Sequence, residues 1–112
     1  GDNKPVEILF VLPKVLTITH VAFNPFTTEN PNRWAQEVEV QVSTEGPEQG
    51  FQSAGVFTLH NRLGADPNKP LPDQIFALKT PVQARFIKLL LHKNHGGSYM
   101  QLGEFKAFTP KP

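Results

Sequence analysis

Hydrophobic and polar residues alternate along much of the chain with a period of two. Between positions 37 and 42, three valines at even positions fall on one face, and two glutamates and a glutamine at odd positions fall on the other. This alternation is typical of a β-strand with one buried face. Almost no segment has the spacing of about 3.6 residues that predicts an amphipathic helix.

Six more short apolar segments are bounded by turn-forming residues and predict further strands: 6–12, 15–23, 51–59, 75–78, 84–92 and 101–108. Pro13 is expected to end the first of them, because proline has no amide hydrogen for a ladder. The two apolar segments nearest the C-terminus, 85–91 and 101–108, are expected to form the strand pair that closes the domain.

The second segment departs from strict alternation. Ile18, Val21 and Phe23 are its core candidates, and they do not share one parity. One extra residue in a strand shifts the side chains that follow to the other face. We therefore expect a β-bulge near Thr19 or His20.

The segment 84–92 is apolar on both faces. Ile87, Leu89 and Leu91 occupy one face, and Phe86 and Leu90 make the other face partly apolar. Strands covered on both sides have this composition, so the segment is expected to be a central strand.

Composition supports one all-β domain over residues 1–112. Hydrophobic residues make up 38% and charged residues 19%, as in an ordinary globular protein. Eleven prolines and eight glycines separate the apolar segments, and the three prolines in 63–73 predict a loop. The pattern predicts an antiparallel β-sandwich. The chain has no cysteine, which excludes disulfides and thiolate metal sites.

Charge and motifs exclude several classes of function. The net charge of +1 comes from scattered residues and gives no nucleic-acid footprint. No apolar run approaches the roughly 18 residues that a membrane-spanning helix needs. No nucleophile elbow, Walker loop or dinucleotide fingerprint is present, so we expect a protein that is not an enzyme.

The C-terminal half carries a family resemblance. The segments 84–91 (ARFIKLLL), 94–97 (NHGG) and 102–108 (LGEFKAF) resemble the closing half of a discoidin domain, also called a coagulation-factor type C domain. Upstream, 5–10 (PVEILF), 15–23 (VLTITHVAF) and 38–43 (VEVQVS) resemble its earlier strands. The resemblance implies a jelly-roll β-sandwich of the galactose-binding-domain-like kind.

The resemblance also implies two departures from the family. Its members begin with a segment before Pro5 that supplies a strand and a cation-binding loop, so the chain is expected to be trimmed there or completed by another chain. Galactose-binding members grip the sugar with an arginine and an asparagine from the loop that here spans 24–34. Phe26 stands where the arginine is expected, and Asn32 or Arg33 approximates the asparagine.

The loop 24–34 is the first candidate site. Trp34 would offer an aromatic platform to a sugar ring, and Asn32 and Arg33 would bond its hydroxyls. The alternative is that Trp34 opens the next strand and packs in the core, as single tryptophans commonly do.

Two further groups complete the candidate ligand-binding set. His60, Asn61 and Arg62 would contact a polyol or an anionic group, or would form a solvated strand end. His95 and Tyr99, in the connection to the last strand, would contact a sugar or a protein partner, although 94–97 also has the composition of a turn. His92 and His95 lack the further ligands that a zinc site requires.

Glu104 is the single candidate metal ligand. The resemblance implies that a carboxylate at this position helps to hold calcium, together with ligands from the N-terminal segment. Calcium takes six to eight oxygen ligands, so a site would need that segment to be supplied. The alternative is that Glu104 pairs with a buried backbone group or an arginine.

The sequence therefore predicts a non-catalytic binding module that recognises carbohydrate or another cell-surface or extracellular ligand through loops at one end of the sandwich. Cell adhesion belongs to this class of function, and the resemblance implies an extracellular, cell-surface or periplasmic location. The alternative is a structural or assembly role, in which the domain contacts other proteins in a larger chain or complex. A third hypothesis, docking of Phe26 and Leu63 on a membrane surface, has little support from the near-neutral charge.

Overall fold

The structure is a computed structural model that describes residues 6–24, 35–59, 73–94 and 104–110. Its regular elements are five strands: β1 (Val6–Asn24), β2 (Ala35–Ser43), β3 (Gln52–Thr58), β4 (Gln74–Asn94) and β5 (Glu104–Phe108). They pair antiparallel in the order β3-β2-β4-β1-β5. The described ranges contain no helix with the length and apolar character needed to cross a membrane.

Four of the predicted strands are halves of two long ones. The segments 6–12 and 15–23 both lie in β1, and 75–78 and 84–92 both lie in β4. The prediction that Pro13 ends a strand is wrong. The β1–β4 register is interrupted between Val11 and Leu16, so Pro13 lies where the ladder does not need its missing amide hydrogen.

The β1–β4 ladder contains two compensating irregularities. From Val11 to Leu16 the chain advances five positions (16 − 11) on β1 and two (86 − 84) on β4. From Ile18 to His20 it advances two positions (20 − 18) on β1 and five (82 − 77) on β4. The second irregularity falls at Thr19, where a bulge was expected, but its extra residues lie on β4 and not on β1. Both strands bend here and then return to a regular ladder.

The bends fold the sheet into two layers. One layer contains β3, β2, the second half of β4 and the first half of β1, and the other contains the first half of β4, the second half of β1, and β5. Aromatic rings join the layers, with centroids 5.2 Å apart for Phe10 and Phe105 and 5.0 Å apart for Phe57 and Phe76. The predicted all-β sandwich is confirmed.

The core lies between the layers and matches the predicted faces. Phe23 is 0% exposed, and its ring lies within 6.1 Å, centroid to centroid, of the rings of Phe57, Phe76 and Phe105. The other predicted core residues are also buried: Ile18, Val21, Val38, Val40, Val42, Ile87, Leu89 and Leu91. The strand β4 lies between β2 and β1, which confirms its predicted central position.

The predicted closing strand pair is wrong. The last strand, β5, pairs with β1, whose second half lies between β5 and β4. Alternation identifies the buried face of a strand but not its neighbour, so it does not predict that β1 lies between β4 and β5. The structure begins β5 at Glu104, and residues 101–103 of the predicted strand lie outside the described residues.

A tight connection joins β2 to β3. The buried Ser43 hydroxyl donates to the carbonyl of Gln49 at 2.7 Å and accepts from the amides of Glu45 and Gly46 at 3.0 and 3.5 Å. Gly50 has a φ of 75°, which favours glycine. This connection and the bends of β1 and β4 form one end of the sandwich, which we call the turn end.

Candidate functional site

The opposite end of the sandwich, which we call the loop end, contains most of the remaining strand termini. Both termini of β4 lie there because the strand bends back at its middle. Three cross-strand pairs define this end: Asn24 with Glu104, Phe23 with Gln74, and Ala35 with Asn94. The C-terminus of β3 joins them, since Thr58 pairs with Glu37 near the start of β2. Strand pairing therefore brings distant parts of the chain to one edge.

All of the predicted ligand-binding residues lie in segments that begin and end at the loop end. These segments, 25–34, 60–72 and 95–103, are outside the described residues, and they contain Asn32, Arg33, Trp34, His60, Asn61, Arg62, His95 and Tyr99. Trp34 directly precedes Ala35 and His95 directly follows Asn94, and those two neighbours are a cross-strand pair. The strands thus attach the three candidate groups to the same end of the fold.

A polar network at the loop end ties three strands together. Asp73, the residue before β4, accepts a hydrogen bond on Oδ2 from Lys106 Nζ at 2.9 Å, and on Oδ1 from Asn24 Nδ2 at 3.1 Å. The hydrogen bonds from Lys106 and Asn24 hold the pKa of the Asp73 carboxyl below its usual value. The network fixes the residues from which 25–34 and 60–72 extend.

Sequence reasoning missed this network. Asp73 was only the last residue of a proline-rich loop, and Lys106 was one polar position in an alternating strand. The three residues are 49 and 33 positions apart along the chain, and no spacing pattern relates residues at such separations. A turn-forming aspartate directly before a strand was the only local signal.

A second polar cluster lies on the outer face of the four-stranded layer. His92 Nε2 lies 3.2 Å from Glu39 Oε1. Burial alone would raise the pKa of the Glu39 carboxyl. Three hydrogen-bonding side chains outweigh burial and lower this pKa: Ser53, His92 and Gln41.

The cluster around Glu39 does not have the arrangement of a catalytic triad. In a triad the histidine lies between the nucleophile and the carboxylate. Here Glu39 lies between His92 and Ser53, so the imidazole is not placed to take the proton of the Ser53 hydroxyl. The contacts join side chains of β2, β3 and β4.

The calcium prediction rests on Glu104, whose backbone begins β5 opposite Asn24. The Glu104 side chain lies outside the part of the chain that the structure describes. Among the described residues no group of three or more histidine, aspartate or glutamate side chains is placed to hold a metal ion. Calcium binding at Glu104 stays a prediction.

Comparisons with known proteins identify the fold. No protein-family model matches the chain, and no curated protein sequence matches it. Among solved structures, the chain is similar to the family 32 carbohydrate-binding module of NanJ from C. perfringens, a structure in complex with galactose, with a TM-score of 0.71 and 18% identity. It is similar to the C-terminal domain of a chitobiase from Bacteroides fragilis (TM-score 0.74, 20% identity). A module of a family 31 glycoside hydrolase from Clostridium perfringens gives a TM-score of 0.73 at 14% identity.

These likenesses show that the chain has the galactose-binding-like β-sandwich fold of family 32 carbohydrate-binding modules. They cover 96%, 98% and 98% of this chain, respectively. The chain in turn spans 69%, 66% and 70% of those structures. The fold agrees with the resemblance to discoidin domains, while membership of the discoidin family itself stays a prediction.

Proposed function

We propose that the protein is a non-catalytic carbohydrate-binding module that holds a glycan at its loop end. The observation that carries this proposal is the pairing of strand termini, which attaches 25–34, 60–72 and 95–103 to one end of a fold shared with carbohydrate-binding modules. Separate loops on a rigid scaffold are the usual construction of a binding site.

The side-chain types in these segments suit a sugar. Trp34 supplies an aromatic face for the C–H groups of a pyranose ring, and Arg33 and Asn32 supply planar donors for vicinal hydroxyls. Tyr99 and His60 add groups that combine a ring with a hydrogen-bonding atom. Phe26 at the position of the family's arginine removes one donor, so the proposal names a terminal hexose and does not name galactose.

The polar network around Asp73 supports the proposal because it holds the strand termini to which the candidate binding segments are attached. A loop-borne site binds more tightly when its supporting residues are fixed before the ligand arrives. Asp73 joins the end of β1 and the start of β4 to β5 through two hydrogen bonds. Because glycans recognised in this way are displayed outside cells, the proposal includes an extracellular or cell-surface location.

A glycan array followed by calorimetric titration of its strongest hits tests the proposal. Trp34→Ala is expected to weaken binding at least about tenfold, because a stacked ring carries much of the affinity for a sugar. Arg33→Gln is expected to weaken it about tenfold through a lost charge-assisted hydrogen bond.

The matched control is Arg85→Gln, which removes the same charge from an exposed arginine at the turn end. It is expected to leave the dissociation constant unchanged. Equal losses from Arg33→Gln and Arg85→Gln would contradict a loop-end site. No binding across a broad array, combined with a stoichiometric protein complex in size-exclusion chromatography of native extracts, would replace the proposal with the assembly role.

A further inference from the structure

The C-terminal end of β4 has fewer neighbours than the middle of the strand. In the β1–β4 ladder the last paired residue of β4 is Leu91, so among the described strands only β2 lies beside residues 92–94. This end of β4 is also the point from which the candidate binding segment 95–103 extends. The contacts between β2 and residues 92–94 therefore bear directly on where that segment begins.

The β2–β4 ladder is irregular at this end. Glu37 pairs with Lys93, and the next residue of β2, Val38, pairs with Leu91, so His92 has no partner on β2 in the register. An unpaired residue interrupts the ladder and bends the strand that carries it. Backbone pairing alone therefore holds this end of β4 less firmly than its middle, where β1 and β2 pair with it on both sides.

The His92 side chain supplies a contact where backbone pairing is interrupted. Its Nε2 lies 3.2 Å from Glu39 Oε1, and the two side chains are 32% and 19% exposed. The pKa of the Glu39 carboxyl is below its usual value, so the group is ionised at neutral pH. An ionised carboxylate accepts hydrogen bonds and donates none, so Nε2–H of the imidazole donates to it. The contact joins the unpaired residue of β4 to the regular part of β2.

Glu39 is itself held firmly. The residues on either side of it are buried core valines, and its carboxylate also accepts hydrogen bonds from the side chains of Ser53 and Gln41. Glu39 lies four positions after Ala35 on β2, which corresponds to about 13 Å along a strand and separates it from a ligand at the loop end. An effect of Glu39 on binding at the loop end would therefore be transmitted through His92.

We propose that Glu39 and His92 are positioning residues of the glycan site, an inference that rests on the proposed function. Glu39 holds the imidazole, and the imidazole holds the end of β4 across the interruption of the ladder. The contact sets the position of Asn94 and, through its pairing with Ala35, the points from which two of the candidate binding segments extend. A site binds more tightly when the residues that support it are fixed before the ligand arrives.

Calorimetric titration with the strongest glycan from the array tests the proposal, and the melting temperature is measured for every variant. His92→Ala is expected to weaken binding about fivefold, because the lost contact leaves the site less well fixed. It is expected to lower the melting temperature by less than about 4 °C, since a partly exposed pair adds little stability. Glu39→Ala is expected to weaken binding by the same factor, and the double variant no further, because both changes break one contact. His92→Gln, whose amide can donate to Glu39, is expected to restore most of the affinity.

The matched control is His20→Ala, which removes an exposed histidine from the other layer of the sandwich. It is expected to leave the dissociation constant unchanged. Equal losses from His92→Ala and His20→Ala, or an unchanged affinity in His92→Ala, would overturn the proposal. A loss in His92→Ala without a loss in Glu39→Ala would also overturn it, because His92 would then contact the glycan itself.

Amide NMR spectra of the ligand-free protein separate this inference from the proposed function. His92→Ala and Glu39→Ala are expected to shift the amides of Ala35 and Asn94 alike, whereas His20→Ala leaves them in place. Shifts without any glycan binding by the unmodified protein would contradict the proposed function alone, and glycan binding without these shifts would contradict this inference alone. Glu39→Gln, which keeps the shape of the side chain and removes its charge, replaces an alanine variant that does not fold and is expected to shift the same amides.

Discussion

The two ends of the sandwich are built on different principles. At the turn end, β2 and β3 are joined by the short segment 44–51, which the buried Ser43 hydroxyl binds at three backbone positions. At the loop end, the segments 25–34, 60–72 and 95–103 extend from strand termini, and Asp73 joins three of the strands through a part-buried hydrogen bond from Asn24 and an exposed one from Lys106. At the turn end, hydrogen bonds from Ser43 hold the connecting segment itself. At the loop end, hydrogen bonds to Asp73 hold only the strand termini from which the segments extend.

The two sets of hydrogen bonds have different effects: those at the turn end mainly stabilise the fold, and those at the loop end mainly position the candidate binding segments. Contacts at the turn end are buried and local, so losing one of them leaves unsatisfied backbone groups. At the loop end the pair of Lys106 and Asp73 is exposed, so it contributes little to the free energy of unfolding but helps to set where the segments begin. The segments can therefore differ in sequence and length while the core stays the same.

Removal of a core ring is expected to have the largest effect and to weaken both ends together. Phe23→Ala is expected to lower the free energy of unfolding by about 3–5 kcal/mol, because it leaves a cavity among the aromatic rings that join the layers. Phe108→Ala is the control, since its ring is partly exposed, and it is expected to cost less than about 1.5 kcal/mol. Chemical denaturation measures both. Similar losses would contradict the assigned core.

Removal of the Ser43 hydroxyl is expected to weaken the turn end alone. Ser43→Ala is expected to cost about 1–2 kcal/mol, because two backbone amides and one carbonyl lose a buried partner. The control is Thr44→Ala, which removes an exposed hydroxyl one residue later. Thermal denaturation compares the two variants. A change in glycan affinity in Ser43→Ala would show that the two ends are coupled.

The Asp73 network is expected to give the smallest effect and a distinctive dependence on pH. Because the pKa of the folded-state carboxyl is lowered, its contribution is complete above the ordinary value of 3.8 and is lost as the pH falls through the folded-state pKa. Asp73→Asn is expected to cost about 0.5 kcal/mol at pH 7, since the pair is partly exposed. Melting temperatures are measured between pH 7 and pH 3. The difference in melting temperature between the unmodified protein and Asp73→Asn should become smaller as the pH falls. Glu48→Gln at the turn end is the control and should show a smaller effect.

The sequence predicted faces better than it predicted neighbours. Alternation placed Val38, Val40 and Val42 in the core, and a break in parity located the ladder irregularity near His20, although not the strand that carries its extra residues. Alternation and parity are properties of a single strand, and neither depends on which strand is its neighbour in the sheet. Pro13 was read as a strand end because its missing amide hydrogen is a local property, whereas the ladder interruption that accommodates it depends on residues of β4.

The sequence names candidate site residues but does not show that their segments share one end of the fold. Residue types suggest Trp34 and Arg33 as sugar-binding groups, the family resemblance adds Tyr99, and all three stay predictions. Their attachment to one end follows from the pairing of Ala35 with Asn94, which are far apart in sequence. His92 contacts Glu39, which lies 53 positions earlier in the sequence. No local sequence pattern predicts a contact between residues so far apart.

The position of β1 between β4 and β5 has a consequence for synthesis of the protein. Among the described strands, β1 comes first in the sequence and its two neighbours, β4 and β5, come last, and the hydrogen bond between Thr19 and Phe108 spans 89 positions. At about 5–20 residues per second, translation takes several seconds to supply them. During this interval the apolar side chains of β1 have no sandwich in which to be buried. Burial of β1 in this sandwich therefore has to wait until β4 and β5 have been made.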